Sequence, residues 1–165
     1  MMHADSTWMR EAMAEARAAG EAGEVPIGAV IVHAGEIIAR GQNRVLRDND
    51  PTAHAEIVAM RAAGLILKNY RLPGCDLFVT LEPCAMCAGA MIHARVARLV
   101  YAATDPKAGA VTSVLQVVNH PRLNHQMAVE SGLLGDEAGE MLREFFRERR
   151  AEGASKPQSN SLDSL

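Results

Sequence analysis

The chain has 165 residues, which fits a single domain, and 48% of them are hydrophobic, which is enough for a sizeable core. The formal net charge of −3, from 17 Lys and Arg against 20 Asp and Glu, excludes a uniformly basic nucleic-acid-binding protein, so such binding requires a local basic patch. Because the sequence contains neither a signal peptide nor an apolar run of roughly 18–20 residues, we expect a cytoplasmic protein without a membrane span.

Hydrophobic periodicity alternates between helical and extended patterns along the chain. Trp8, Met9, Ala12 and Met13 form an apolar stripe with helical spacing, whereas residues 25–32 form a compact apolar run typical of a buried strand. The predicted elements, in chain order, are a helix over 6–19, strands over 25–32 and 36–40, a helix over 51–63, a strand over 76–80, a helix over 83–94, strands over 98–102 and 127–130, and a helix over 136–150.

Two segments lack a strong periodic pattern. Residues 103–126 form a long connection, in which we expect a short helix over 114–118. From Gly153 onward Ser, Asn, Gln and Pro dominate, which is a composition typical of disorder. We therefore predict one folded domain over residues 1–152 and a disordered C-terminal tail over 153–165.

Two strand–helix–strand units follow each other in this order, over residues 36–80 and 76–102. Such units place their strands parallel and join them by right-handed crossovers. The crossover helices then begin at one common edge of the sheet, and ligands bind at that edge in α/β proteins. The sequence therefore predicts an α/β fold whose binding site lies where the second and third helices begin.

Two short motifs fall at this predicted edge. The second helix begins near His54-Ala55-Glu56, and the third begins near Pro83-Cys84-Ala85-Met86-Cys87. Cys84 and Cys87 share a helix face because they are spaced i and i+3, and a helix N-terminus favours thiolates. One His and two Cys form a ligand set that suits zinc. The two motifs together therefore predict a zinc site.

Glu56 is expected to serve chemistry rather than metal binding. Side chains two residues apart diverge by about 200° on a regular helix, so we expect His54 and Glu56 in an irregular first turn. There His54 reaches the metal and Glu56 reaches what the metal binds. Three protein ligands leave a place for water, as in catalytic zinc sites, whereas structural zinc takes four.

The remaining Cys and His residues are poor candidates for a fourth ligand. Cys75 lies at the far end of a strand, roughly 15–20 Å from Cys84. The other histidines are expected in loops, at a hairpin tip or near an unsuitable helix end: His3, His33, His93, His120 and His125. A Cys-x-x-Cys also occurs in redox motifs and zinc ribbons, but its combination with His54 and Glu56 indicates a catalytic site.

Beyond these motifs, the chain resembles the bacterial tRNA-specific adenosine deaminases of the cytidine and deoxycytidylate deaminase superfamily over nearly all of its predicted folded part. The matching stretches are 24–30, 50–56, 69–72, 79–93, 119–121 and 145–147. The resemblance implies a three-layer, cytidine-deaminase-like α/β fold, with a five-stranded mixed sheet and helices on both faces. It also implies one zinc ion per subunit, hydrolytic replacement of the amine on C6 of adenine, and proton transfer by Glu56.

The same resemblance implies roles for residues outside the metal site. Asn43 would hydrogen-bond the sugar or base of a flipped nucleotide, and the backbone of Ala55 and Cys84 would fix the base and the reacting oxygen. Residues 102–105, together with Ile27, would line the pocket. Asp105 and Phe146 would lie near the flanking nucleotides. Further candidates for RNA contact are Arg44, Lys107, Arg147, Arg149 and Arg150.

Three functions remain open at this point. The resemblance implies a homodimer that binds the anticodon stem-loop of an arginine tRNA and deaminates its wobble adenosine. The alternative is a deaminase of a free nucleoside or base, namely cytidine, guanine or adenine. A third is a zinc-binding partner module that has lost catalysis, against which the intact Glu56 counts.

The end of the last predicted helix bears on this choice. Residues 143–150 combine arginines with aromatic side chains, as RNA binding requires. The same segment also fits an ordinary amphipathic helix, with Phe145 in the core and basic residues that complement the helix dipole. The resemblance favours RNA binding.

Overall fold

Four helices and five strands form within residues 2–155, the part of the chain that the computed structural model describes. In chain order they are α1 (Met2–Glu21), β1 (Gly28–His33), β2 (Glu36–Gln42), α2 (Ala55–Leu67), β3 (Cys75–Leu81), α3 (Ala85–His93), β4 (Arg98–Ala103), β5 (Ala128–Ser131) and α4 (Gly135–Ser155). The α/β class and the five strands are confirmed.

The strands form one mixed sheet in the order β2-β1-β3-β4-β5. Strand β1 pairs antiparallel with both β2 and β3, whereas β3, β4 and β5 pair in parallel. Strands β2, β3 and β4 therefore run in the same direction. Consequently α2 and α3, which follow β2 and β3, both begin at one edge of the sheet, as predicted.

Helices cover both faces of the sheet because the strand side chains alternate between two cores. Ala29 and Ile31 of β1 pack in the core that contains α2 and α3. Val30 and Val32 point the other way, into the core beneath α1 and α4. This alternation gives three layers, as a strand pattern with a period of two requires.

Glycines let two helices lie directly on the strand backbone. A Cβ atom on Gly28 would lie 2.0 Å from the carbonyl oxygen of Ala12 in α1. A Cβ atom on Gly41 would lie 2.2 Å from the carbonyl oxygen of Ala55, the first residue of α2. The approach at Gly41 therefore sets the position of the N-terminus of α2, where His54 stands.

Helix α2 begins four residues later than the predicted start at Pro51. The Asp50 Oδ1 atom accepts hydrogen bonds from the backbone N–H of Thr52 at 2.8 Å and from its hydroxyl at 2.7 Å. Such a side-chain bond competes with helix formation and favours a turn. The helix also continues past the predicted stop at Gly64 and ends at Leu67, because the next residue, Lys68, adopts a left-handed conformation.

Two other elements also differ from the prediction because of their local backbone structure. Strand β1 begins at Gly28 rather than Val25, because Pro26 has no N–H and the N–H of Ile27 bonds to the carbonyl of Val25. The expected helix over 114–118 is wrong, since a turn ends at residue 113 and the segment after it is a bend followed by irregular backbone.

Helix α4 continues through Gly153 to Ser155, so it is longer than predicted. The rest of the predicted disordered tail, from residue 156 on, lies outside the described residues. Within residues 2–155, every helix is too short or too polar to cross a bilayer.

Candidate active site

The predicted ligands His54 and Cys84 occupy equivalent positions, directly before the first turns of α2 and α3. Both have extended backbone, with φ −73° and ψ 153° at His54 and φ −74° and ψ 176° at Cys84. Neither side chain caps its helix by a hydrogen bond. Both side chains therefore remain available at the edge of the sheet where the two helices begin.

The three predicted ligands meet at this edge. The His54 Nδ1 atom lies 3.6 Å from Cys84 Sγ and 3.5 Å from Cys87 Sγ, and all three atoms lie within 4.8 Å of one another. Of the residues described, these alone form a group of three or more ligand atoms suited to a metal. Cys75 is instead a core residue at the start of β3. A catalytic zinc ion takes three such ligands, so the donor set fits zinc.

The groups around Cys84 lower the pKa of its thiol. The hydrogen bond with the Cys87 thiol lowers the pKa of Cys84 to about 3, and the His54 ring contributes in the same direction against the effect of burial. The pKa of Cys87 is raised, because it shares its proton with Cys84 and because it is buried. The hydrogen bond with Cys84 also raises the pKa of His54. The surroundings of Cys84 thus favour its thiolate form, which is the form that binds a metal.

Glu56 lies one residue into α2 and its side chain is almost fully buried, at 4% exposure. Burial raises the pKa of this carboxyl above its ordinary value, although the neighbouring Cys87 thiol and His54 act in the opposite direction. A raised pKa brings a carboxyl closer to neutral pH, where it both accepts and donates protons. The position of His54 before the helix, with Glu56 within it, agrees with the irregular start predicted from their spacing.

A cavity of about 740 Å³ opens from His54. Its walls contain most of the residues predicted to bind substrate: Ile27, Asn43, Ala103, Thr104, Asp105, Lys107, Phe146, Arg147 and Arg150. Ala55 is fully buried at the start of α2. The structure therefore brings these side chains close to His54 and hence to the predicted metal ligands.

Comparisons with known proteins agree with this geometry. A family model described as MafB19-like deaminase matches residues 3–150. The tRNA-specific adenosine deaminase of Agrobacterium fabrum is 54% identical over 143 residues, which cover 87% of this chain and 94% of that protein. The protein of the same name from Bacillus subtilis is 48% identical over 149 residues, covering 90% and 92%. The chain belongs to the tRNA-specific adenosine deaminase family.

Solved structures of deaminases share the fold of this family member. A structure from work on A-to-I editing by tRNA:A34 deaminases at the wobble position superposes with a TM-score of 0.80 and 52% identity, covering 82% of this chain and 99% of that one. Guanine deaminase from Nitrosomonas europaea superposes with a TM-score of 0.74 and 31% identity, covering 85% and 83%. The three-layer deaminase fold is confirmed.

One face of α4 forms a wall of the pocket in this deaminase. The α4 residues that line the pocket lie three or four positions from one another along the helix, and this spacing places them on one helix face. They are Gly139, Leu142, Arg143, Phe146, Arg147 and Arg150. The sequence analysis placed Arg143 in the segment 143–150 suited to RNA binding but missed Gly139 and Leu142 as pocket residues, although the helical period counted back from Phe146 identifies them. It also missed Val25, Leu81 and Pro106.

Two of the predicted RNA-contact residues lie elsewhere. The Arg149 guanidinium lies 4.9 Å from the centre of the Phe145 ring and donates a hydrogen bond to the carbonyl of Gly23. Arg44 forms a two-pronged ion pair with Asp48 in its own loop, at 2.9 Å and 3.0 Å. Neither residue lines the cavity.

The loop that carries Asn43 is held by two residues that sequence reasoning missed. Glu24, which is fully buried, accepts hydrogen bonds from the backbone N–H groups of Leu46 and Arg47. The Arg47 guanidinium in turn donates to the carbonyl of Asn43 at 2.6 Å. These hydrogen bonds therefore fix the position of the loop from which Asn43 lines the pocket.

Proposed function

We propose that this protein hydrolyses adenosine to inosine at the wobble position of an arginine tRNA. The observation that carries the proposal is the meeting of His54, Cys84 and Cys87 beside the buried Glu56, because His54 also lines a cavity whose wall contains arginines and Phe146. The names of relatives up to 54% identical support the choice of adenosine and tRNA.

His54, Cys84 and Cys87 hold one zinc ion per subunit in this proposal. The support is the donor set itself, one imidazole nitrogen and two thiol sulfurs within 4.8 Å of one another. When bound, such an ion lowers the pKa of a coordinated water to near 7.

Glu56 transfers the protons of the reaction. It accepts a proton from the attacking water, donates it to the adenine ring nitrogen, and passes a further proton to the leaving amine. Water adds at C6 and ammonia leaves, so adenosine and water become inosine and ammonia. Burial of Glu56 supports this role, because it raises the pKa of the carboxyl towards the range in which proton transfer runs both ways.

Asn43 and the first turn of α2 hold the flipped nucleoside. The Asn43 amide provides both a donor and an acceptor for a base or sugar. Ala55 is in the first turn of α2, whose N–H groups have no acceptor within the helix, so its N–H can bond to the substrate. Ile27 supplies an apolar contact for the base.

The anticodon stem-loop lies along α4 and the segment that carries Asp105. Lys107, Arg147 and Arg150 line the same cavity, and their charges favour a polynucleotide. Phe146 is exposed beside them and offers a surface on which a flanking base stacks.

The protein acts as a cytoplasmic homodimer in this proposal. Leu65, in the last turn of α2, and Tyr70, three residues after the helix, are 80% and 77% exposed, which favours burial against a second copy of the chain. They flank a groove between α2 and α3 that also contains Met60 and Ala90. Sedimentation at equilibrium tests this: we expect a dimer, and a monomer for Leu65→Glu.

One experiment separates the three candidate functions. The zinc-loaded protein is incubated with an anticodon stem-loop that carries adenosine at the wobble position, and in parallel with free adenosine, cytidine and guanine. We expect inosine in the stem-loop alone. Turnover of guanine, as in the 31% identical guanine deaminase, or of another free substrate overturns the proposal in favour of small-molecule deamination. No turnover with zinc bound indicates a non-catalytic module.

A further inference from the structure

Another buried carboxylate, that of Glu82, lies two residues before the proposed ligand Cys84, and the residue is only 2% exposed. It accepts five hydrogen bonds, and all of them come from one loop between β4 and β5. The donors are the backbone N–H groups of Asp105, Val111, Thr112 and Ser113 and the hydroxyl of Ser113.

These bonds explain how a buried charge is tolerated at this position. A buried carboxylate is costly unless hydrogen bonds or a cation compensate it. Within residues 2–155, no Lys, Arg or His forms an ion pair with Glu82, so backbone dipoles carry the compensation. The loop is therefore wrapped around the carboxylate.

Gly109 shows how tightly the loop is wrapped. A Cβ atom at this position would lie 2.4 Å from Glu82 Oε2 and 2.6 Å from the carbonyl oxygen of Asp105. The N–H of the next residue, Ala110, bonds to the carbonyl of Pro83 at 2.8 Å. The loop thus contacts both Glu82 and the turn that leads into Cys84.

The same loop forms one wall of the substrate cavity. Asp105 and Lys107 line the cavity, and the side chain of Asp105 accepts bonds from the N–H groups of Lys107 and Ala108. The connection between β4 and β5 is long and forms no helix or strand. Long irregular connections are mobile unless their backbone is held, and Glu82 holds this one at both ends of residues 105–113.

We propose that Glu82 is a positioning residue for the polynucleotide substrate. Its carboxylate orders residues 105–113, so that Asp105 and Lys107 meet the nucleotides that flank the reacting base. This inference rests on the proposed function for its substrate, but the anchoring of the loop does not depend on it.

Glu82→Gln tests the proposal, because an amide keeps the size of the side chain but replaces one acceptor oxygen with a donor that faces N–H groups. We expect hydrogen exchange of residues 105–113 to accelerate, while zinc content stays at one per chain. With the stem-loop, KM should rise about tenfold or more with kcat changed far less, since the wall that positions the flanking nucleotides is displaced.

Three further variants keep the test decisive. Ser113→Ala removes one donor without touching the carboxylate, so a smaller rise in KM in the same direction is expected. Gly109→Ala displaces the loop while Glu82 is intact, and it should reproduce the effect of Glu82→Gln. The matched control is Asp76→Asn, which breaks an ion pair with Arg98 near the opposite end of β3 and should change neither KM nor exchange in the loop.

Failure of this inference is distinguishable from failure of the proposed function. If the wild-type protein does not deaminate the stem-loop, the proposed function is wrong, and exchange of residues 105–113 in Glu82→Gln still decides the anchoring. Unchanged exchange overturns the anchoring. Faster exchange with an unchanged KM for the stem-loop overturns the positioning role, as does a loss of zinc that accounts for the whole effect.

Discussion

His54 and Cys84 occupy positions that Ser, Thr, Asp or Asn usually take, because the oxygens of those residues bind the first free N–H groups of a helix. Neither ligand makes such a bond here. Each helix start therefore forgoes a cap worth about 1 kcal/mol, and the side chain stays available for metal. At the scale of residues, the site thus favours chemistry over local stability.

Replacing Glu56 with Ala is the sharpest test of the chemistry. The variant removes the proposed proton carrier but none of the proposed metal ligands, so zinc content should remain at one per chain while turnover falls by about 10²–10⁴. Metal analysis and single-turnover formation of inosine measure the two quantities. Glu56→Gln, which keeps the shape of the buried side chain, is the control and should lose as much rate. An active Glu56→Ala enzyme, or one without metal, would show the assignment to be wrong.

At the scale of elements, packing of helices on the strand backbone brings the two halves of the site together. Gly41 of β2 lies against the first turn of α2, and Gly28 of β1 lies against α1. Any side chain at these positions would separate the layers. The distance between His54 and the cysteines therefore depends on residues that contact neither.

Gly41→Ala should destabilise the protein by about 1–3 kcal/mol, the usual cost of overpacking. The added Cβ would lie 2.2 Å from the carbonyl oxygen of Ala55 and 2.6 Å from the backbone nitrogen of Ala59. Urea unfolding at fixed zinc concentration measures the free energy. Gly89→Ala is the matched control, because nothing lies within 4 Å of its Cβ and the change favours helix α3. Equal stability of the two variants would contradict the packing account.

Arg98 joins α1 to the sheet, and this contact should make stability depend on pH. Its guanidinium donates two hydrogen bonds to Asp5, at 2.9 Å and 2.7 Å. This pairing holds the pKa of Asp5 below its ordinary value of 3.8, against the effect of burial. A lowered carboxyl pKa stabilises the fold above the unfolded-state value, and the contribution is lost as pH falls through the folded-state value.

Asp5→Asn should therefore be less stable than the wild type at neutral pH. The difference in free energy of unfolding should shrink as the pH falls below the ordinary pKa of 3.8, because the wild type then loses the same charge. Urea titrations across this range measure the difference. A difference that is constant with pH would exclude the ion pair as its cause.

At the scale of the whole molecule, the charge distribution matters more than the net charge of −3. Lys107, Arg143, Arg147 and Arg150 gather around one cavity, where Asp105 is the acidic residue among those that line it. A local patch of this kind suits a phosphate backbone although the chain as a whole is acidic. The remaining surface supplies the negative charge that keeps the net value below zero.

Binding of the stem-loop should weaken with salt, and Arg150 should contribute to the slope. Each neutralised phosphate of a single strand contributes about −0.7 to the slope of log K against log salt concentration, so Arg150→Ala should reduce the slope by about that amount. Fluorescence anisotropy over a salt series measures it. Arg149→Ala is the control, because Arg149 contacts Phe145 and Gly23 instead of the cavity. An equal change of slope in both variants would contradict the prediction that Arg150 contacts the RNA whereas Arg149 does not.

The sequence by itself determined which residues form the candidate site. His54, Glu56, Cys84 and Cys87 are identified by residue type and short spacing, and both properties are local. The order of helices and strands then placed both motifs at one sheet edge, because parallel strands joined by helices allow few arrangements. The resemblance to the tRNA-specific adenosine deaminases could also be detected from the sequence alone, because the matching residues form contiguous stretches.

Only the tertiary structure decided how the walls of the pocket are held. Glu82 bonds to residues 23 to 31 positions away, and Glu24 to residues 22 and 23 positions away. The partners of a glutamate cannot be predicted from its sequence position, because its burial depends on which loop packs over it in the folded protein. The same holds for Arg149 and Arg150, which are adjacent in the chain but point to different surroundings, because helical rotation separates neighbours by about 100°.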